Sequence, residues 1–471
     1  MSAVSKDNKI VNEKIVENAT CTFCGCCCDD ITLTVDMDKK VITKAKDACI
    51  LGKAWFLNHV IEDKPIARID GKEVPLDDAI DEAAKVLMDA KFPILYGMSD
   101  TICEAQRQCA PIMDDCGGTI DTTTSVCHGP SGMAFQGVGE PSMTLGEVKN
   151  RADFVMYWGG NPAEAHPRHF ARYAVTPEGM FTPNGKDDRT VVICDVRHTK
   201  TAGVADIFLQ VKPGKDFEFL WILRAACKGV PIPDNCKEIC GIEKEVAEDL
   251  FNKMKNCTYG VIFFGMGLTM TRGRHFNSGA LMALATDLNE FTHFVAKPAR
   301  GHGNVTGADN VVSWQTGYPF GVNFSRGHPR FNPGEFTTVD TLTRKEADAA
   351  LIIESDPVAN IPKPAIDHIT SDKCKLISID TKNTPTSEAA HVSIQTSTYG
   401  INTGGTVYRM DDVPISLRPA FDSPFPSDLE VLTKLRKKVN ELSKKANRPV
   451  SYTHLRAHET RGNLVCRLLL E

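Results

Sequence analysis

The sequence predicts an α/β protein of more than one domain, built on parallel sheets. Three observations carry that expectation. The chain has 471 residues, about three times the ~150 of an ordinary domain. Runs rich in Val, Ile and Phe end in Gly, Asn or Asp and alternate with helical stretches, as do strands covered on both faces. Two segments, YWGGNPAEAHP (Tyr157 to Pro167) and IIESDPVANIP (Ile352 to Pro362), share a layout: strand, short turn, polar residue, Pro, and a second Pro five residues on. They point either to two related lobes facing a ligand or to two ordinary strand-to-helix turns.

In chain order, a polar N-terminus without the apolar centre of a signal peptide leads to CTFCGCCCDD, with five cysteines in eight positions. Ile31, Leu33 and Val35 then alternate as the first strand of a hairpin whose second strand leads to Cys49. LGKAWFLNHVI begins a short helix, DDAIDEAAKVLMDA is a longer one from about Leu76, and FPILYG is a strand. DFVMYWGGNP is a strand entering a Gly-rich loop, and RTVVICDVR, YGVIFFGMGLT, ADAALIIESDP and CKLISIDTKNT repeat the theme. Such sheets bind ligands beyond the carboxyl ends of their strands, where these loops lie. LEVLTKLRKKVNELSKKA reads as a last helix.

The stretch after it differs in character. Val450 to Thr460, VSYTHLRAHET, resembles the conceptual translation of a transposon-end adapter used in sequencing libraries. The natural chain is therefore expected to end near Arg448, and residues 449–471, with His454, His458 and Cys466, carry no functional expectation. Resequencing the 3′ end of the gene decides this.

A hydrophobic fraction of 42% marks a globular chain. No apolar run approaches the ~20 residues of a membrane span, so a cytoplasmic location is expected. A net charge of −6 gives no electrostatic case for nucleic acid. Seventeen cysteines in a large cytosolic chain suggest metal or redox chemistry more than disulfides. Cys103, Cys109, Cys116, Cys194, Cys227, Cys240, Cys257 and Cys374 stand singly and read as core thiols.

The opening cluster is different. Cys21-x2-Cys24-x3-Cys28, with Cys49 after the hairpin, supplies four thiolates, the number a [4Fe–4S] cube takes. Zinc is the rival, but its usual pattern has a second C-x2-C downstream, and Cys49 stands alone. Cys26 and Cys27 are surplus, and spacing leaves open Cys26 as a ligand in place of Cys24 or Cys28. Cys127 lies in a loop beside His128, where a metal ligand, an activated nucleophile or a plain loop thiol all fit the local sequence.

A C-x2-C-x3-C…C module opening a long α/β chain, with SVCHGP (Ser125 to Pro130) downstream, is similar to the molybdopterin oxidoreductases of the formate dehydrogenase type. CTFCGCCCDDI, SVCHGPSG, YWGGNPAEAHPRH, KPARGHGNVTGADNV and GTVYRMDDVP together resemble the family of B-type subunits of formylmethanofuran dehydrogenase, from about Cys21 to Pro419. The resemblance implies a multidomain molybdopterin-oxidoreductase fold: an N-terminal iron–sulfur domain (1–70), a discontinuous first pterin-binding lobe (71–130 and 300–410), a second lobe (131–299) and a C-terminal segment (411–448). It implies a tungsten or molybdenum ion held by two molybdopterin guanine dinucleotides, with Cys127 completing the coordination.

His128 matches the histidine that faces substrate and handles protons, a task suited to a pKa near neutrality. Arg300 matches the substrate-site arginine, whose planar fork fits a carboxylate; neutralising a pterin phosphate is its other role. Lys53 matches a lysine between cluster and pterin, although the order here is C-x2-GK rather than C-x-K-G. Gly159, Gly160 and Asn161 at a strand end are expected to hold phosphate, and His166 to face the same ligand. Asp195, Arg197 and Thr199 resemble the guanine- and phosphate-contacting loop, with Pro213, Gly214 and Asp216 as a second contact. Gly265 and Gly267 are expected to allow close backbone approach.

The implied reaction is CO2 + 2 electrons + H+ ⇌ formate. Formate would pass to an amidohydrolase-type partner subunit with a dinuclear metal site for condensation with methanofuran. Ferredoxin-like subunits would be further partners, and a small subunit would supply the β-barrel that closes over the pterins in single-chain relatives. Two alternatives remain: a formate dehydrogenase-type subunit with another acceptor, and a non-redox structural subunit of a formyltransferase/hydrolase complex. Family members of the latter kind lack the metal-binding cysteines, whereas Cys21, Cys24, Cys28, Cys49 and Cys127 are all present here.

Overall fold

The buried runs expected to be strands form two sheets, and their carboxyl ends make the site. The computed structural model describes residues 12–446, so the 449–471 tail lies outside the described residues. Phe154–Trp158 and Ala349–Ile353 are buried along their whole length, as central parallel strands must be. One sheet has five parallel strands in the order Ile207–Gln210, Thr190–Asp195, Phe154–Trp158, Tyr259–Phe264, His293–Pro298. The other has nine. Its parallel centre runs Thr119–Thr122, Pro93–Gly97, Ala349–Ile353, Lys375–Asp380, Val392–Gln395, and short antiparallel strands cover both edges.

The expected hairpin is Ile31–Asp36 with Val41–Lys46, and a third strand, Glu13–Ala19, pairs antiparallel with the first. Sequence reasoning missed that strand because only Val16 and Ala19 of its seven residues are buried, which leaves no apolar alternation.

Two segments sit elsewhere than expected. Ala67–Ile69, placed by sequence with the N-terminal module, extends the nine-stranded sheet beside Val392–Gln395 and pairs with Lys72–Glu73. The Asp428–Lys445 helix packs on the Leu76–Asp89 and Cys103–Cys116 helices, so it belongs to that layer rather than standing apart. Ser427 and Glu430 close its first turn as a capping box. Val431, Leu432, Leu435 and Val439 form its buried stripe.

The look-alike segments are structural counterparts. After Trp158, Asn161 caps the Pro162–Ala165 turn with φ −123° and ψ 66°; after Ile353, Asp356 caps Pro357–Asn360 with φ −121° and ψ 70°. Thr201, six residues after Asp195, donates its hydroxyl to Asn161 Oδ1 at 2.6 Å and accepts from Ala163 N at 3.1 Å. Thr386, six residues after Asp380, does the same with Asp356 Oδ1 (2.6 Å) and Val358 N (3.1 Å). The halves differ where each strand exits. Gly159 occupies a left-handed φ of +59° in one, and the buried Glu354 a φ of +46° in the other.

Candidate functional site

Cys21, Cys24, Cys28 and Cys49 line one small cavity together with Cys26, Phe23, Gly52, Pro167 and Arg168. The hairpin brings Cys49 back to the cluster, where it caps the Ile50–Leu57 helix and its sulfur accepts from Gly52 N at 3.4 Å. A side chain at residue 52 would set its Cβ 3.1 Å from Cys21 Sγ, so glycine lets the sulfurs converge. Burial, together with the neighbouring Cys24, Cys28 and Cys49 sulfurs, pushes the Cys21 thiol well up. Such a set of soft donors fits a metal that takes thiolates.

Among the described residues no three His, Cys, Asp or Glu side chains close on a single-ion point. Of the surplus pair, Cys26 donates to Cys24, lowering the Cys24 thiol, and Cys27 turns away to donate to the Gly303 carbonyl at 2.8 Å.

The loop carrying these sulfurs rests on the backbone of the 300–303 segment. Gly25 N donates to Gly301 O at 3.0 Å, and Met410 N donates to Gly25 O at 2.8 Å. A Cβ at Gly25 would lie 2.4 Å from Arg300 O, and one at Gly303 would lie 1.9 Å from Thr22 O.

Arg300 is buried. Its Nη1 donates to Asp309 Oδ2 at 2.7 Å and to Thr124 Oγ1 at 3.0 Å, while Thr122 and Thr124 donate to Asp309. Burial pushes the Asp309 carboxyl up, although Arg300 and the two threonines oppose it. The buried guanidinium itself is shifted toward its charged form and needs a counter-charge, so the pair is ionic. Arg300 also lines a polar cleft with Glu140, Lys297, Asn310 and Asp412.

Cys127 ends the Thr123–Val126 turn, and its carbonyl accepts from Thr269 Oγ1 at 3.2 Å. Burial pushes its thiol up to about 11 against the pull of Arg300. A thiol held protonated in this way is not a free activated nucleophile. His128 is buried edge-on to Phe264, 6.1 Å between ring centres. Burial and Arg300 lower it to about 3. The near-neutral pKa expected from the residue type is thus displaced, and the imidazole is neutral.

His166 is buried, with Nε2 2.7 Å from the Arg300 carbonyl. It braces the arginine's backbone rather than facing open space.

At the ends of the five-stranded sheet, Thr199 Oγ1 and Asp216 Oδ2 are buried without partners among the described residues, Asp216 Oδ1 accepting from Trp158 Nε1 at 2.9 Å. Orphaned buried acceptors beside a sheet's carboxyl ends fit a polar ligand with donors. Asp195 accepts from Arg197 N at 3.3 Å, and the Arg197 side chain, Pro213 and Lys53 are exposed. Gly214 turns with φ +71° ahead of the Asp216–Cys227 helix.

The glycine loops serve a different purpose from the one expected. Gly265 N donates to Trp158 O (3.0 Å) and Gly267 N to Gly159 O (2.8 Å). A Cβ at Gly159 would sit 2.4 Å from Leu268 N. Gly159, Gly265 and Gly267 therefore pack against each other, and the amides of Gly265 and Gly267 are already used. Asn161 is likewise committed to Thr201 and Glu164, while a Cβ on Gly160 would meet Gly265 at an ordinary 3.5 Å.

Sequence reasoning missed a second pocket at the ends of the nine-stranded sheet. Thr381, Lys382, Thr396, Ser397, His59 and Lys64 are among its lining residues. The repeated segments were the available signal, because Lys382 stands two residues after Asp380 as Arg197 does after Asp195.

No family model matches the chain. The B-type subunit of the tungsten-containing formylmethanofuran dehydrogenase 2 of Methanocaldococcus jannaschii is 44% identical over 438 residues, 91% of this chain and 99% of that protein. Acetylene hydratase from Pelobacter acetylenicus has a similar fold, with a TM-score of 0.68 at 12% identity over 90% of this chain and 70% of that one. So does a chain of the formyltransferase/hydrolase complex of Methylorubrum extorquens, solved with methylofuran, with a TM-score of 0.61 at 23% identity over 80% of this chain and 99% of that one. Among the described residues no helix is long and apolar enough to cross a membrane. With a near-full-length relative of that identity, this chain belongs to the family of B-type subunits of formylmethanofuran dehydrogenase.

Proposed function

We propose that this chain is the catalytic subunit of a formylmethanofuran dehydrogenase, interconverting CO2 and formate in the cytoplasm. The observation that carries the proposal is the contact between two pieces of machinery. The four-cysteine loop bears on the backbone of Arg300 to Gly303 through Gly25 and Cys27, and Arg300 in turn reaches Asp309 and Thr124 beside Cys127. An electron-carrying group and a carboxylate-binding arginine are thereby one mechanical unit.

Cys21, Cys24, Cys28 and Cys49 would hold a [4Fe–4S] cluster. Cys127 would ligate tungsten or molybdenum carried by two molybdopterin guanine dinucleotides, one spanning Thr199 and Asp216 and the other the Lys382 pocket. The bound metal–pterin centre supplies the two-electron chemistry at carbon. Arg300, fixed through Nη1, keeps its remaining donors for a carboxylate. Neutral His128, held by Ser131 Oγ and the Ala299 backbone, does not add a second cation beside Arg300. Partner subunits would condense formate with methanofuran at a dinuclear metal site, relay electrons through ferredoxin-like units and cover the pterins with a small β-barrel.

Cys127→Ala is expected to abolish CO2/formate turnover in the purified complex and to leave the iron–sulfur absorption intact; full activity would remove Cys127 from the mechanism. The likeness to the formyltransferase/hydrolase chain favours a second reading, a scaffold without redox chemistry. Metal analysis separates the two. Iron together with tungsten or molybdenum supports the redox role, and neither supports the scaffold.

A further inference from the structure

The segment AHPRHFARYA joins the two centres and carries more than the arginine brace. His166 reaches Arg300, whereas Arg168 and Arg172, one turn apart, point to the cysteine loop. Arg172 lies in a π-helix over Phe170–Ala174, with Val175 N donating to Phe170 O at 3.0 Å, and Arg168 stands two residues before it. Such wide turns are rare and concentrate at functional sites. Arg168 grips Asp30 with both nitrogens, at 2.5 and 2.7 Å, and lines the cysteine cavity. Arg172 Nη2 donates to Asp29 at 2.6 Å, and its Nη1 lies 3.3 Å from Asp30 Oδ1. That ion pair is not a hydrogen bond, and among the described residues the buried Arg172 Nη1 has no hydrogen-bond partner. Burial pushes the Cys28 thiol up, and both guanidiniums, standing beside its sulfur, pull the other way.

We propose that Arg168 and Arg172 set the reduction potential of the cluster held by the four-cysteine loop, with Arg172 Nη1 kept as a donor to one of its sulfurs. This rests on the cluster assigned above. A cluster gains a negative charge on reduction. Nearby positive charge and N–H···S bonds stabilise that form and raise the potential. The aspartates do not cancel this. Asp29 and Asp30 are 41% and 40% exposed, against 19% and 20% for Arg172 and Arg168. Water therefore screens the carboxylates more than the guanidiniums.

The test is a potentiometric titration of the anaerobically purified complex, followed by electron paramagnetic resonance, with iron and sulfide counted on each sample. Arg168→Gln and Arg172→Gln are expected to move the midpoint to more negative values, further when combined. Arg172→Lys, which keeps the charge, should move it less than Arg172→Gln. Asp30→Asn, which removes an anion beside Arg168, should move it to more positive values. Unmoved midpoints in Gln variants with full iron would overturn the proposal, as would a negative shift in Asp30→Asn. If the Gln variants lose iron, the Asp30→Asn midpoint decides alone: a positive shift supports the proposal, and no shift or a negative one overturns it. A wild-type complex with no iron or sulfide in this chain would instead sink the cluster assignment, a result distinct from a cluster whose midpoint ignores the arginines.

Discussion

His169 shows how strongly position overrides residue type. It is 1% exposed, with Nδ1 2.9 Å from Tyr157 Oη and Nε2 unpartnered. Burial, with His166 nearby, lowers it to about 3. In the unfolded chain it would titrate near 6.5. Between those values the unfolded chain binds a proton that the folded one refuses, so this residue's contribution to stability is full above about 6.5 and is lost as pH falls toward 3. The stability of the chain should therefore drop more steeply from pH 6.5 to 4 than that of His169→Asn, measured by denaturant titration at each pH. Equal slopes would show that the ring is not held neutral. At this scale the sequence singled out Cys127, His128 and Arg300, which the fold gathers around Asp309 and Phe264. It was read less well for Gly265 and Gly267, because a glycine packed on another loop and a glycine packed on a ligand look identical in sequence.

At the scale of elements, the cysteine loop and the 300–303 segment fit only while both lack side chains at their crossing. Gly303→Ala would thrust a methyl against the Thr22 carbonyl, which is backbone and already accepts from Tyr399 Oη at 2.8 Å. Overpacking of this kind costs about 1–3 kcal/mol or displaces the loop. Gly303→Ala is thus expected to lose iron while its circular dichroism stays that of the parent chain; full iron retention would show that the loop can retreat without disturbing its sulfurs. The strands themselves were legible because FVMYW, YGVIFF and AALII are buried throughout or nearly so. The first strand was not, because an edge strand with two buried residues has no pattern to read. Arg172 escaped notice because its π-turn matches neither α-helical nor strand spacing, and Arg168 because it stands just ahead of that turn.

Across the whole molecule, the duplicated Thr201 and Thr386 bridges tie each lobe's proline turn to the loop after the next strand. Their acceptors differ, an amide in one lobe and a carboxylate in the other. Hydrogen bonds to charged groups contribute about 1.5–3 kcal/mol against about 0.5–1.5 for neutral ones. Thr386→Val should therefore destabilise more than Thr201→Val. The two losses should add in the double variant, since the bridges sit in different sheets and share no partner. Urea unfolding of the four proteins checks both points, and a strong departure from additivity would mean the lobes unfold as one.

Two halves drawn to one pattern also leave an evolutionary signature at the strand exits. Where one half turns its corner with Gly159, the other manages nearly the same backbone twist with Glu354, whose carboxyl accepts from Thr381 and Thr396. Gly159 packs on Gly267 and Leu268, whereas Glu354 bonds within the other sheet, so either corner can change its residue without dismantling the other.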